Sequence, residues 1–207
     1  WLGEQLALAG IYCLYQVTIG DNRQRMKDTI TQALERSDAV IVSGGLGPTQ
    51  DDINREVIAE VMGVDLIRDE EIAEKIRYRF ESRGRVMSDN NLRQADIPEG
   101  GMPIPQMPGT APGLICPLED KVIYAVPGVP FEMKMMVNEC ILPDMKKRAG
   151  LTAIIKSRVL KTWGQTESGL DEMLTERMAY LDEVGGATIA FQASGIEGLK
   201  VRITVKA

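Results

Sequence analysis

The feature that most constrains the fold is a short apolar run followed by a glycine-rich turn and a helical pattern. Residues 39–42 are continuously apolar, residues 43–52 read SGGLGPTQDD, and residues 53–62 have helical spacing. A short run without polar alternation is typical of a strand buried on both faces of a parallel sheet. Glycines let the backbone approach a ligand, and a helix N-terminus attracts an anion. The order therefore predicts a phosphate-binding loop, although it matches neither Walker A nor GxGxxG.

The acidic pair Asp51 and Asp52 closes this turn. Two carboxylates beside a phosphate cradle repel an anion unless a divalent cation lies between them. Magnesium is commonly held by one or two carboxylates together with substrate phosphates. The alternative is a tight turn in which an Asp caps the next helix. Pro48 and Thr49, together with the two acids, favour the functional interpretation.

The alternation of patterns along the first part of the chain predicts an α/β fold. Strands alternating with helices indicate a doubly wound, mostly parallel sheet. Further on, two apolar runs separated by Glu-Asp-Lys predict a hairpin. The expected segments are a strand at 11–19, helices at 22–37, 53–62 and 69–84, a strand at 39–42, and the hairpin strands 114–118 and 122–126 followed by a helix from 130.

The last third of the chain has a different organisation. Residues 154–163 read as a strand, 166–178 as a helix, and 187–193 and 199–205 as two further strands joined by a turn at 194–198. This βαββ order predicts a second, smaller α+β domain. We expect domains at 1–148 and 149–207, with the second one cut short.

The composition narrows the chemistry before any motif is considered. The chain has no histidine, which excludes Ser-His-Asp and Cys-His catalysis and every His-ligated zinc site. The net charge of −6 argues against binding to nucleic acid or to an anionic membrane. No apolar run is long enough to span a bilayer. Three scattered cysteines predict reduced thiols in a cytoplasmic protein.

Ligands of open α/β sheets bind beyond the carboxyl ends of the strands. Three predicted loops lie at such ends: 20–22, 44–52 and 127–130. This placement gathers Asp21 and Asp52 at one rim, which suits metal-assisted attack on a phosphate or pyrophosphate. Taken separately, Asp21 is equally well explained as a turn former or helix cap, and residues 127–130 as a rigid turn.

Four ordered segments carry a family resemblance: 43–52, 90–94, 109–113 and 127–133. They closely resemble the N-terminal region of the CinA family (competence/damage-inducible protein A), whose α/β domain is similar to molybdopterin-binding enzymes of molybdenum-cofactor biosynthesis. Residues 154–207 resemble the KH-like domain that follows in that family. The resemblance implies hydrolysis of ADP-ribose to AMP and ribose 5-phosphate in pyridine-nucleotide recycling, dependent on Mg²⁺, Mn²⁺ or Co²⁺. We expect a small-molecule nucleotide substrate and a homodimer.

The resemblance also implies roles for individual residues. In related molybdopterin adenylyltransferases the glycine motif and two aspartates are functional, and those aspartates match Asp52 and Asp21. We therefore expect both to be catalytic and, with Asp51, to bind the metal. The expected substrate- and phosphate-binding residues are Gly44, Gly45, Gly47, Thr49, Asn91, Gln94, Thr110, Gly128 and Pro130.

The sequence departs from the family in several places. The family's first strand and its early Gly-Asp-Glu-Leu motif have no counterpart, and Phe131 stands where Ser is frequent. Nothing matches the nicotinamide-nucleotide deamidase domain of many members, so that activity is not inferred. Residues 164–167 lack the second glycine of a GxxG loop, so RNA binding is not expected. Two alternatives stay open: a non-catalytic module that binds molybdopterin or a nucleotide, and adenylyl transfer to molybdopterin.

Overall fold

The computed structural model describes residues 1–105, 109–151, 155–193 and 198–206. The chain divides into two compact units: Gln16–Met145, and Trp1–Tyr15 together with Lys146–Ala207. The predicted domain limits of 1–148 and 149–207 stay a prediction. Among the helices in the described ranges, none combines the length and the apolar character needed to cross a membrane.

The secondary structure of the first part of the chain alternates helices with short strands. The elements in chain order are α1 (Leu2–Leu8), α2 (Arg23–Glu35), β1 (Ala39–Ser43), α3 (Asn54–Met62), β2 (Leu66–Arg68), α4 (Glu70–Glu81), a 3-10 helix (Asp89–Ala95), β3 (Asp96–Pro98), β4 (Met102–Pro103), β5 (Leu114–Leu118) and β6 (Lys121–Val126). A continuous helix then follows, made of α5 (Pro130–Met136), a π turn (Val137–Ile141) and α6 (Leu142–Arg148).

The unit Gln16–Met145 is built on a four-stranded sheet in the order β1-β6-β5-β4. β1 and β6 are parallel, with Ser43 opposite Val126, whereas β5 pairs antiparallel with both β6 and β4. β2 and β3 form a separate antiparallel ribbon. The predicted α/β class and the hairpin are confirmed, and the sheet is mixed. Its core is made mainly of Met26, Ile30, Leu34, Val57, Ile58, Ile72, Ile76, Leu114 and Ile123.

The helices begin and end where the capping residues predict. The side chain of Asn22 accepts a hydrogen bond from the Arg25 backbone N–H at 3.0 Å and so caps α2. Asp69 caps α4 in the same way through the Ile72 N–H, also at 3.0 Å. Gly63 closes α3 in the left-handed conformation with φ 71°, which glycine adopts without steric cost. Local chemistry alone therefore fixes these three boundaries.

The predicted strand at 11–19 is wrong. The structure gives no strand to these residues, and Tyr12 and Leu14 are 88% and 72% exposed. β-branched and aromatic residues favour a strand only where a neighbouring strand completes the hydrogen-bond ladder. The expectation that β1 is buried on both faces is also wrong. Within the described residues β1 pairs with β6 alone, and its residues are half-buried or exposed.

The π turn lies between the first and last parts of the long C-terminal helix of this unit. Tyr124 on β6 is fully buried, and its hydroxyl donates to Asp144 Oδ2 at 2.7 Å. Asp144 lies on α6, directly after the π turn. The hydrogen bond therefore joins the centre of the sheet to the helix downstream of the irregular turn.

The other unit has the predicted βαββ order. Its elements are β7 (Ile155–Thr162), α7 (Glu167–Val184), β8 (Ala187–Ala193) and β9 (Leu199–Lys206), and the antiparallel sheet has the order β7-β9-β8. The α7 helix extends beyond the predicted end at residue 178. The small core of this unit contains Leu170, Leu199 and Val201. Most of the predicted turn at 194–198 lies outside the described residues.

Candidate functional site

The glycine-rich loop at the carboxyl end of β1 is held from behind by the first turn of α3. Asn54 Nδ2 donates to the Gly44 carbonyl at 2.8 Å. Arg55 Nη1 donates to the Leu46 carbonyl at 2.5 Å, and its Nη2 donates to the Gly47 carbonyl at 2.6 Å. Since Asn54 and Arg55 are only 5% and 1% exposed, these contacts are shielded from water. The side chains of Asn54 and Arg55 therefore fix the direction of three loop carbonyls.

Two further contacts bind the carbonyls of Gly45 and Thr49. The Asn54 N–H donates to the Gly45 carbonyl at 3.2 Å, and Arg93 Nη1 donates to the Thr49 carbonyl at 3.0 Å. Within the described residues, the backbone N–H groups of Gly45 and Leu46 have no protein acceptor. Gly44 and Gly45 have φ values of 101° and 59°. Successive amides in such a turn form a concave site for an anion.

Asp52 closes the loop through Thr49. Its Oδ2 accepts hydrogen bonds from the Thr49 N–H at 3.0 Å and from the Thr49 hydroxyl at 2.5 Å. Partial burial alone raises the pKa of Asp52, but the hydrogen bonds from Thr49 and from the Gly47 N–H, with the positive charge of Arg55, lower it below its usual range. A β-carbon added at Gly47 would lie 2.3 Å from Asp52 Oδ2, so only glycine fits here.

The lowered pKa of Asp52 predicts a pH-dependent contribution to stability. A carboxyl whose pKa is lower in the folded state stabilises the protein above its unfolded pKa of about 3.9. This contribution is lost as the pH falls through the folded pKa. We expect Asp52→Asn to lower the midpoint of thermal unfolding at pH 7 and to have progressively less effect below pH about 4. Thermal unfolding, followed by circular dichroism, measures the midpoints at pH 7 and below pH about 4. An equal effect of the substitution under the two conditions would contradict the prediction.

The turn after β6 lies against the glycine-rich loop. The Gly44 N–H donates to the Val126 carbonyl at 2.9 Å, which continues the parallel pairing of β1 and β6 beyond Ser43. A β-carbon at Gly128 would lie 3.5 Å from the Gly44 Cα atom. Gly128 is exposed, as is Pro130. The structure thus brings two of the expected phosphate-binding glycines, Gly44 and Gly128, into contact at one edge of the sheet.

A third loop meets the first turn of α5. Arg79 Nη1 donates to the Gly109 carbonyl. A β-carbon at Gly109 would lie 2.3 Å from Glu132 Oε1, so the carboxylate packs against this glycine. Burial raises the pKa of Glu132, and the positive charge of Arg79 opposes that rise. Sequence analysis missed Glu132, although an acid in the first turn after Pro-Gly-Val-Pro was a usable signal.

The structure does not gather the three expected metal-binding aspartates. Asp21 and Asp51 are both exposed. The strand that was expected to place Asp21 beside Asp52 does not form, so the argument for their proximity fails. Across the described ranges, no group of three or more His, Cys, Asp or Glu side chains could hold a metal ion. The roles of Asp21 and Asp51 stay predictions.

Several expected binding residues have structural contacts of their own. Asn91 Nδ2 donates to the Ser88 carbonyl at 3.1 Å, at the start of the 3-10 helix. Gln94 is only 1% exposed, and its Oε1 atom has no partner within the described residues. A ligand can reach Gln94 only if its neighbours move. Thr110 is half-buried on the loop that includes Gly109. Binding by Asn91, Gln94 and Thr110 stays a prediction.

Sequence analysis did not identify the residues that hold the loop in place. In the sequence, Asn54 and Arg55 read as ordinary polar residues at the start of a helix. The usable signal was their position, since polar side chains in the first turn after a glycine-rich loop can reach its carbonyls. Arg93 belonged to a recognised polar cluster, but its partners Thr49 and Glu56 lie far from it in sequence and could not be inferred.

Comparison with known proteins places this arrangement in a family. Residues 1–147 match a family described as "Probable molybdopterin binding domain". A CinA-like protein of Frankia casuarinae is 44% identical over 212 residues, covering 100% of this chain and 49% of the relative. A CinA-like protein of Trichormus variabilis is 42% identical over 208 residues, with the same coverage of 100% and 49%. The chain therefore spans about half the length of these curated relatives.

A solved structure supports the same assignment. It is the crystal structure of the protein CinA, with unknown function, from Thermoplasma acidophilum. The two chains are 37% identical, with a TM-score of 0.57 over 67% of this chain and 81% of the other. The sequence relatives and this structure agree with the resemblance carried by the four motifs. The chain belongs to the CinA family.

Proposed function

We propose that this region hydrolyses nucleotide diphosphates of the ADP-ribose type. The proposed substrate is ADP-ribose, and the products are AMP and ribose 5-phosphate. The observation that supports this proposal is the loop after β1. Asn54, Arg55 and Arg93 bind its carbonyls, while the Gly45 and Leu46 amides have no acceptor within the described residues. Amides arranged in this way suit a phosphate of the substrate.

A divalent cation is the expected cofactor, and Asp52 offers one carboxylate for it, although no group of three or more candidate ligands is gathered within the described residues. The pKa of Asp52 is lowered, which favours the ionised form that metal binding requires. Carboxylate and hydroxyl oxygens are the donors that hard cations prefer. Asp52 would hold the cation together with phosphates of the substrate, and metal binding by Asp51 and Asp21 stays a prediction from the family resemblance. When bound, the cation would neutralise charge on the phosphates.

The chain's own residues would orient the substrate around the bond that breaks. Hydrolysis joins the oxygen of water to one phosphorus, and the bridging oxygen leaves with the other phosphate. The Gly45 and Leu46 amides would hold one phosphate, and Gly128, in contact with Gly44, would border it. Asp52 fixes the Thr49 hydroxyl and thereby the end of the loop. Orientation of this kind accounts for much of the catalysis of phosphoryl transfer.

The test is AMP release from ADP-ribose by the intact parent protein. We expect AMP with Mg²⁺, Mn²⁺ or Co²⁺, none with EDTA, and a loss of about 100-fold or more in Asp52→Asn because a metal ligand is removed. Asp120→Asn is the matched control, since Asp120 is exposed in the turn before β6, at the end of that strand away from the loop. Full turnover in Asp52→Asn would overturn the assignment of Asp52.

A non-catalytic module is the second candidate. It is favoured by the match of residues 1–147 to a family described as binding molybdopterin. Saturable, metal-dependent nucleotide binding without AMP release would support it and overturn the hydrolase. Adenylyl transfer to molybdopterin would instead consume ATP and release pyrophosphate. A homodimer, a cytoplasmic location and the absence of nucleic-acid binding stay predictions.

A further inference from the structure

A second concave region lies on the face of α4, and its described lining includes no residue of the glycine-rich loop. We call it the α4 groove. Its volume is about 520 Å³, within the range of small-molecule sites. Its apolar floor contains Ile72 and Ile104, which are 3% and 1% exposed. The described residues that line it are Ile72, Lys75, Tyr78, Arg79, Ser82, Arg83, Pro103, Ile104 and Pro105.

Among the described residues that line the α4 groove, the charged ones are all cationic. Lys75 and Arg79 are one turn apart on α4, and Arg83 follows just beyond its end. The described lining includes no acid, although the protein as a whole has a net charge of −6. Like charges at i and i+4 destabilise a helix. The helix C-terminus favours cations in its last turn, such as Arg79, and Glu71 one turn before Lys75 favours that lysine.

The three cations differ in their partners. Arg79 donates to the Gly109 carbonyl and lies near the Glu132 carboxylate, so its charge is partly compensated. Lys75 and Arg83 form no ion pair with any residue in the described ranges. Glu71 and Glu74 lie on the other flank of Lys75, outside the α4 groove. Two cations that form no ion pair within the described residues therefore lie beside an apolar floor, and Glu71 lies one turn before Lys75.

We propose that the α4 groove binds a small phosphorylated metabolite. The phosphate would lie at the end formed by Arg79 and Arg83, where guanidinium groups match phosphate geometry. Tyr78 is 71% exposed beside the groove, and with Ile72 and Ile104 it offers an apolar surface to a planar or apolar part of the ligand. Lys75 would add a favourable charge at the other end. This site needs no metal and does not depend on the proposed hydrolase.

AMP is the probe, and binding is measured by isothermal titration calorimetry on the intact parent protein in EDTA at low ionic strength. We expect Arg83→Glu and Lys75→Glu each to weaken AMP binding about tenfold, or about 1.4 kcal/mol, because each replaces an attractive charge with a repulsive one. Arg77→Glu is the matched control. It lies on the same helix, is exposed and changes the net charge equally, but it does not line the α4 groove. We expect it to weaken binding less than about twofold, because only long-range charge changes.

Inorganic phosphate and adenosine distinguish the parts of the ligand. Competition of both with AMP would support a metabolite with a phosphate and a ring. Competition of phosphate alone would support the anion site and assign it to free phosphate or to any phosphate ester. AMP affinity that is unchanged in Arg83→Glu and Lys75→Glu, or reduced equally in Arg77→Glu, would overturn the proposal. Hydrolysis of ADP-ribose plays no part in this measurement, so failure of the proposed hydrolase would not affect it.

Discussion

Replacing Arg55 with Met is expected to lower the free energy of unfolding by about 3 kcal/mol. Met roughly preserves the buried aliphatic volume, but it cannot donate to the Leu46 and Gly47 carbonyls. A hydrogen bond from a charged donor contributes about 1.5–3 kcal/mol, and buried acceptors left without a donor add to the loss. Burial lowers the pKa of Arg55. Part of the stabilisation from its hydrogen bonds therefore offsets the cost of burying its charge.

Chemical denaturation and thermal unfolding measure this effect. For a chain of this length, about 3 kcal/mol corresponds to roughly 6–12 °C in the unfolding midpoint. Arg77→Met on α4 is the control, since Arg77 is exposed and such substitutions change stability by less than about 0.5 kcal/mol. Phosphate binding by the loop should also fall in Arg55→Met. A stability equal to that of the control would show that α3 does not hold the loop in this way.

The second large effect is expected for Gly113→Ala, just before β5. A β-carbon here would lie 2.7 Å from Met136 Sδ, 2.9 Å from Ile104 Cδ1 and 3.0 Å from the Ala125 carbonyl oxygen. The side chains of Met136 and Ile104 are buried, and the third neighbour is backbone in β6, so little can move. Overpacking of this kind costs about 1–3 kcal/mol, so we expect destabilisation within that range.

Gly20→Ala is the matched control for this substitution. Its added β-carbon would meet only Arg25 Nη1, at 3.5 Å, which is an ordinary contact at an exposed position. We expect a change within about 0.5 kcal/mol. Urea unfolding of both variants gives the comparison. Equal stability of the two variants would mean that the packing between Gly113 and Met136 relaxes without cost.

The elements that sequence analysis predicted correctly are those fixed by local chemistry. Asn22 and Asp69 cap the helices they precede, and Gly63 ends α3, because capping needs only residues adjacent in sequence. The apolar stripe of Ile72 and Ile76 on α4 was also visible as helical spacing, and both side chains are buried.

The features that were not predicted depend on contacts between distant residues. The segment 11–19 has the composition of a strand, but a strand exists only with a partner, and composition does not identify one. The burial of Arg55 depends on loop carbonyls eight and nine residues away in sequence. Glu132 meets Gly109 only after the loop and α5 have folded. Sequence analysis therefore identified the loop but not the side chains that hold it.

The π turn at Val137–Ile141 has a consequence for insertions and deletions in this part of the chain. A π turn accommodates one additional residue in an otherwise regular helix, and each residue of an α-helix turns the chain by about 100°. Deleting one residue from this turn would restore the regular helix and keep Asp144 facing Tyr124. Deleting one residue from α6 between the π turn and Asp144 would rotate this carboxylate away from the buried hydroxyl. The number of residues can therefore change by one within the π turn, but it cannot change between that turn and Asp144.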